Sequence, residues 1–168
     1  MGMVFQLIAL PELDYFKAVK QSRFLGRKTS RTDSKLWDLI GDYCESQPDW
    51  CVDTDKAWDM ILACFNGPEN RYGSDGLLGK SLMGFAVLGR DDSIHGLVPK
   101  QVSEVSVALD AYDTSEVDRI IPTLDGKDVY CLTGDDDEAY VKSYIEELRA
   151  FYSKSSQEGR AVIAALST

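Results

Sequence analysis

Apolar and polar positions alternate along this chain in two rhythms, and the clearest stretch runs from Asp53 to Gly89. Ala57, Trp58, Ile61, Leu62 and Phe65 recur at helical spacing and predict a helix with one wide apolar face. Asp53 or Thr54 is placed to cap it, because a side-chain oxygen there accepts a hydrogen bond from a free first-turn N–H. Gly67-Pro68 stops it, glycine by taking the left-handed closing conformation and proline by having no N–H to continue the ladder. The run Gly84-Phe85-Ala86-Val87-Leu88-Gly89 is short, uncharged and bounded by glycine, which predicts a buried strand. Helix and strand together are expected to form the centre of the domain.

The remaining pattern is read around that pair. Met3–Leu10 is apolar almost throughout and predicts a strand covered on both faces. A helix over Glu12–Gln21 follows, with Leu13, Phe16, Ala18 and Val19 as its apolar side. Ser34 is placed to cap a second helix over Lys35–Glu45, marked by Leu36, Trp37, Leu39, Ile40 and Tyr43. The stretch from Gly67 to Ser81 reads as a glycine-rich loop, and Arg90–Gly96 as a polar loop. Pro99 opens a helix to about Tyr112 with Val102, Val105 and Leu109 on one face, and Glu116–Ile121 is a short helical turn ended by Pro122. Asp128–Leu132 predicts a third strand, and Arg160–Leu166 a last one. Between them lies the longest helix, started near Thr133 by an acidic first turn, buried along Val141, Tyr144, Ile145, Leu148, Phe151 and Tyr152, and closed by Gly159. The expected class is mixed α and β: a small sheet of about four strands packed by five or six helices, in a single domain over residues 1–168.

Charge adds the first functional constraint. The chain carries a formal net charge of −10, a field that repels nucleic acid and anionic membranes and attracts basic protein surfaces. Residues 12–31 run against that trend with a surplus of four positive charges, but they lack the interleaved aromatics of a nucleic-acid surface. Neither nucleic acid nor membrane is therefore expected as a partner. No apolar run approaches the ~18 residues of a membrane span, and no basic segment precedes the first strand as a secretory leader requires. The expected location is the cytoplasm. Cys44, Cys51, Cys64 and Cys131 include no C-x-x-C pair, and the one histidine, His95, cannot complete a zinc set with them, so neither metal nor cofactor is expected. Cys44 and Cys51 flank Pro48 and could close a disulfide only in an oxidising compartment.

Few residues offer chemistry. Gly79-Lys80-Ser81 resembles the tail of a phosphate loop, but Ser74 stands where the upstream glycine is required. Asp53, Asp55 and Lys56 could perform acid–base work or hold a divalent metal, yet helix capping accounts for the same residue types at the same positions. His95 could act as a base oriented by Asp91 or Asp92, although a histidine beside glycine in a polar loop is ordinarily just exposed. Trp58 is expected in the core. Trp50, Tyr72 and Tyr140 fall outside the clear helical faces and have the amphipathic character of interface anchors, although core burial is the commoner fate of any one of them.

Several stretches in order along the chain resemble the YfbM-like family, a bacterial domain of unknown function. They are Met1-Gly2-Met3, then Val52-Asp53-Thr54-Asp55-Lys56-Ala57-Trp58, then Ala86-Val87-Leu88-Gly89 and Leu97-Val98-Pro99, and finally Leu148-Arg149-Ala150-Phe151-Tyr152 with Gly159 and Ala161-Val162. Asp-x-Asp-Lys-x-Trp is the most specific of these. The resemblance implies a single α/β domain and brings no settled activity. It also implies a likeness to proteins encoded beside polymorphic toxins, where a small acidic partner neutralises a toxin. Charge, the scarcity of catalytic motifs and this likeness together lead to the expectation of a non-catalytic protein that binds another protein. Its concrete form is an immunity protein or inhibitor of a basic-surfaced toxin, with contacts from Tyr72, Asp75, Asp91, Asp92, Asp135, Asp136, Asp137 and Tyr140. The alternatives are a small hydrolase or transferase with a site near Asp53, Asp55 and His95, or a housekeeping protein.

Overall fold

The computed structural model describes residues 3–23, 30–73, 75–89, 93–125, 127–130 and 136–167. Its spine is the pairing of the first and last strands. β1 (Val4–Leu10) runs antiparallel to β5 (Ala161–Ser167) over its full length, from Val4 opposite Ser167 to Leu10 opposite Ala161. β2 (Cys51–Asp53) flanks β1, while β4 (Ile94–Leu97) flanks β5 and carries β3 (Ala86–Val87) outside it. The order is β2-β1-β5-β4-β3, and every pair is antiparallel.

Helices cover both faces of this sheet, which is why β1 and β5 read as continuously apolar. Phe5, Leu7, Ala9, Val162, Ala164 and Leu97 face a large layer, and Ile8, Leu10, Ala161, Ile163, Ala165 and Ile94 face a smaller one. The smaller layer is α1 (Glu12–Arg23) and α2 (Ser30–Ser46), contributing Tyr15, Ala18, Val19, Leu36 and Ile40. The large layer holds α3 (Trp58–Asn66), the short α4 (Lys80–Met83), α5 (Pro99–Ala111), α6 (Ser115–Ile120) and α7 (Asp137–Gln157). α3 is its interior: every residue from Trp58 to Cys64 is buried. α5 begins at Pro99, with Gln101 Oε1 accepting from the Val98 N–H at 3.0 Å. It ends under Arg149 of α7, which donates to the carbonyls of Leu109 and Tyr112 at 3.0 and 2.9 Å.

Single-domain mixed α and β architecture is as expected, with five strands rather than about four. Several local expectations need correction. The Gly84–Gly89 run is a two-residue strand at the margin of the sheet, with Phe85 and Val87 exposed, so the centre belongs to β1 and β5. The polar loop over Arg90–Gly96 contains most of β4. Gly96 is there because Tyr15 crosses the strand: a Cβ at position 96 would lie 2.4 Å from the Tyr15 hydroxyl oxygen. Asp53 ends β2 instead of capping α3. Its Oδ1 accepts from the Asp55 N–H at 2.7 Å, Asp55 takes φ +45°, and the helix starts only at Trp58. Residues 128–130 are not a strand, because the Tyr130 N–H is committed to a side chain of α3; residues 131–132 lie outside the described set. α4 occupies the end of the expected glycine-rich loop, and α2 begins at Ser30, ahead of the expected Ser34 cap. On α1, Leu13 and Phe16 are exposed, and Tyr15 takes the buried position.

The Tyr15 crossing makes Gly96→Ala destabilising by about 1–3 kcal/mol, the cost of forcing a methyl into a packed site. Urea unfolding measures it, and an unchanged midpoint would remove the packing argument.

Candidate functional site

α3 carries one charge into the core. Asp59 is 1% exposed, and a carboxylate taken out of water is tolerated only when its lone pairs are satisfied. Its Oδ1 accepts from Arg71 Nε at 3.1 Å and from the Tyr72 hydroxyl at 2.9 Å, and its Oδ2 from the Tyr130 N–H at 2.8 Å. Arg71 extends the network, donating through Nη2 to the Asp128 carbonyl at 2.6 Å and through Nη1 to the Pro68 carbonyl at 3.4 Å. Three stretches of chain are thereby tied to one carboxylate: the core helix, the loop after it, and the segment at 128–130.

The loop is fixed from a second point. Asn66, the last residue of α3, donates from Nδ2 to the carbonyls of Arg71 and Gly73 at 2.7 and 3.2 Å. A Cβ at Gly79 would lie 2.4 Å from that same nitrogen, so glycine is needed there to seat the Asn66 amide. Gly73, Gly76 and Gly79 all face asparagine side chains, Asn70 for the first and Asn66 for the other two.

Aromatic rings stand over the carboxylate. Trp58 lies 5.6 Å from Phe5, 5.9 Å from Tyr130 and 6.5 Å from Tyr72, centroid to centroid. Its Nε1 donates to the Met3 carbonyl at 3.1 Å, and the Met3 N–H donates to the Tyr130 hydroxyl at 2.9 Å. The Arg71 guanidinium sits 5.3 Å from the Tyr72 ring. Tyr72 is the outermost member, 56% exposed, with its hydroxyl turned inward to Asp59. Burial of that hydroxyl, reinforced by Asp59 and opposed by Arg71, raises the phenol above its ordinary value. Burial alone would lower Arg71, but Tyr72 and Asp59 outweigh it and hold the guanidinium above its ordinary value.

The Asp53–Trp58 stretch also reaches a second group. Asp55 Oδ2 accepts from the Tyr140 hydroxyl at 2.8 Å, and Tyr140 packs edge-on against Tyr144 at 5.1 Å. Burial first, then Asp55, pushes the Tyr140 phenol up.

The expected site residues fall into separate places. Tyr72 and Asp75 are exposed on the loop, and Tyr140 is half-buried on Asp55. Asp136 is exposed, but Asp137 is buried and cannot offer its carboxylate to a partner. Asp91, Asp92 and Asp135 lie outside the described residues, as do Cys131 and residues 24–29 of the basic segment. His95 is 5% exposed within β4, which corrects the expectation of an exposed loop histidine. Strand register places it in one row with Ala164, Leu7 and Val52, three strands from β2. That is about 14 Å from the strand carrying Asp53, so the two do not share a cleft. Trp50 is buried too, with the Arg160 guanidinium 3.4 Å and the Lys154 ammonium 3.9 Å from its ring centroid. Asp59, Arg71 and Tyr130 went unread in the sequence. The available signal was a lone aspartate among the uncharged residues from Ala57 to Asn66.

These features define a single-domain, three-layer α+β protein whose one described buried ion pair organises a surface loop. Residues 1–165 match the domain of unknown function family DUF1877, and the chain belongs to that family. The fold is similar to that of YfbM from Escherichia coli, a protein of unknown function, with a TM-score of 0.67, 16% identity, and coverage of 99% of this chain and 100% of that one. No curated protein matches the chain. Among the described residues no helix is long and apolar enough to cross a membrane.

Asp59→Asn keeps the shape and strands Arg71 without a counter-charge, so denaturant unfolding should show a loss of about 3–5 kcal/mol. Asp59→Leu combined with Arg71→Leu should cost less than the two single changes summed; strict additivity would deny the coupling. Because folding raises the Tyr72 and Tyr140 phenols, their stabilising contribution is complete below the free-tyrosine value near pH 10 and is lost as pH rises through the folded values. Urea midpoints should hold on the neutral side of that value and fall beyond it, less so in Tyr140→Phe.

Proposed function

We propose that this protein is a non-catalytic, cytoplasmic protein-binding domain. Its concrete role is that of an acidic immunity protein or inhibitor that neutralises a cognate, basic-surfaced toxin by direct binding. The observation that carries this reading is Tyr72: a large ring more than half exposed, whose hydroxyl is fastened to a buried carboxylate and whose loop is pinned by Arg71 and Asn66. An exposed aromatic that is already ordered loses little freedom on binding, which is the property of an interface anchor.

The chemistry around it favours a cationic partner. Asp75 lies exposed on the same loop, and Asp53 and Asp136 are exposed near Asp55 and Tyr140. A net charge of −10 accelerates encounter with a basic surface, and the desolvated aromatic contact then sets the lifetime of the complex. Asp59 itself supports binding rather than turnover, since both its oxygens are already occupied by fixed donors.

The decisive material is the product of the reading frame beside this gene. If that product is a toxin, the two should form a stoichiometric complex and co-expression should restore growth. Tyr72→Ala should weaken the complex by roughly 30-fold or more, mainly through faster dissociation. Asp75→Lys with Asp136→Lys should slow association and flatten its dependence on salt. A folded protein that neither binds nor protects against the neighbouring product would end the immunity reading.

A further inference from the structure

We propose that Asn66 is a one-way modification site. The closed loop holds it against deamidation, and when the loop opens, water converts it through a cyclic imide to an acid that stops the loop from closing again. Both asparagines of the chain, Asn66 and Asn70, fall at the end of α3 and in the loop that follows. Only Asn66 precedes a glycine, whose missing side chain leaves its backbone nitrogen free to swing onto the neighbouring side-chain carbon. Asn70 precedes Arg71, whose side chain hinders the same approach.

The folded loop opposes each part of that reaction. The nucleophile is engaged, because the Gly67 N–H donates to the Ala63 carbonyl at 2.9 Å in the last turn of α3. The amide to be attacked is engaged as well, through Nδ2 to the carbonyls of Arg71 and Gly73 at 2.7 and 3.2 Å. Loop backbone closes round both ends of it: a Cβ at Gly79 would lie 2.4 Å from Nδ2, and one at Gly76 would lie 3.2 Å from Oδ1. Beyond Gly67 the turn Pro68–Asn70 returns the Asn70 N–H to the Gly67 carbonyl at 3.1 Å. Attack requires the Gly67 and Nδ2 bonds to break together, so it proceeds from the opened loop.

In that state the Gly67 nitrogen gives up its proton and bonds to the Asn66 Cγ. The Cγ–Nδ2 bond breaks, and the amide leaves as ammonia with the proton that nitrogen lost. Water then opens the five-membered imide at one of its two carbonyls, leaving aspartate or isoaspartate at position 66. Either carboxylate accepts hydrogen bonds and donates none, so the Arg71 and Gly73 carbonyls lose their donor and meet a negative charge instead. The isoaspartate route also adds a methylene to the main chain between α3 and the loop. The loop then keeps only its Arg71–Asp59 anchor. This site is independent of the protein-binding reading and stands or falls alone.

Ageing the full-length protein in mildly alkaline buffer, with and without urea, tests it. Asn66 and Asn70 share the tryptic peptide Ala57–Arg71, and fragmentation of that peptide tells them apart. Amide-to-acid exchange should appear at position 66 ahead of position 70, and at least about tenfold more slowly in the folded protein than in urea. Gly79→Ala, which crowds the seated amide, should convert faster than the unsubstituted protein while still folded. The acidic fraction of the aged folded protein, separated by charge, should lose its Arg71–Tyr72 bond to brief native trypsin at least about tenfold faster than the unconverted fraction, because the protease must take Arg71 from Asp59. Asn66→Asp should show the same sensitivity, and the aged fraction answers the question should that variant fail to fold. Equal conversion with and without urea, or an unchanged rate in Gly79→Ala, would overturn the protection. An unfolded chain that spares Asn66 would overturn the site, and an acidic fraction cut no faster would overturn the block on reclosing.

Discussion

A carboxylate withdrawn from water at Asp59 obliges donors from separate parts of the chain to converge on it. Arg71 and Tyr72 come from the loop that follows α3, and the Tyr130 N–H comes from far along the sequence. Loss of the Tyr130 N–H would leave Oδ2 without a donor, and loss of Arg71 or Tyr72 would leave Oδ1 with one donor instead of two, so the contacts reinforce each other. Loops on small domains are usually the least ordered parts, and this one is bolted to the core by an ion pair and an asparagine. The exposed face of Tyr72 inherits that order. A physical requirement of the interior therefore shapes a feature of the surface.

The sheet sets the stage for this arrangement by pairing the two ends of the chain. β1 and β5 bury side chains on both faces, and neither could do so unless helices covered each side. The two helices after β1 supply the smaller layer, and the rest of the chain builds the larger one. Trp58 links sheet to site: its ring packs on Phe5 of β1 while its indole N–H holds Met3 just ahead of that strand. Met3 in turn donates to Tyr130, whose own N–H meets Asp59. Sheet, core helix and loop are a continuous set of contacts.

The family assignment and the likeness to YfbM fix the architecture and leave the activity to be argued from the surface. The surface offers an ordered aromatic, scattered carboxylates and a strongly negative field. A histidine sealed inside β4 and a carboxylate saturated by fixed donors are poorly placed to shuttle protons for a substrate. Association is the reading these features favour.

Periodic burial was legible from residues alone: β1, β5, α5 and α7, the core position of Trp58 and the stop at Gly67 all follow from spacing and local turn chemistry. Such features depend on neighbours within a turn or two, and the chain states them directly. What needed the tertiary structure were elements whose justification lies elsewhere. β4 looks polar because Gly96 answers to Tyr15 and His95 is covered by distant packing, and β2 is only three residues held by register with β1. Asp59 looks like an ordinary charge in a helix until Arg71, Tyr72 and Tyr130 arrive. Short-range periodicity determined the helices and the central strands. Long-range satisfaction of buried polar groups decided the loop, the site and the order of the sheet, because such groups find partners in space that nothing in local spacing announces.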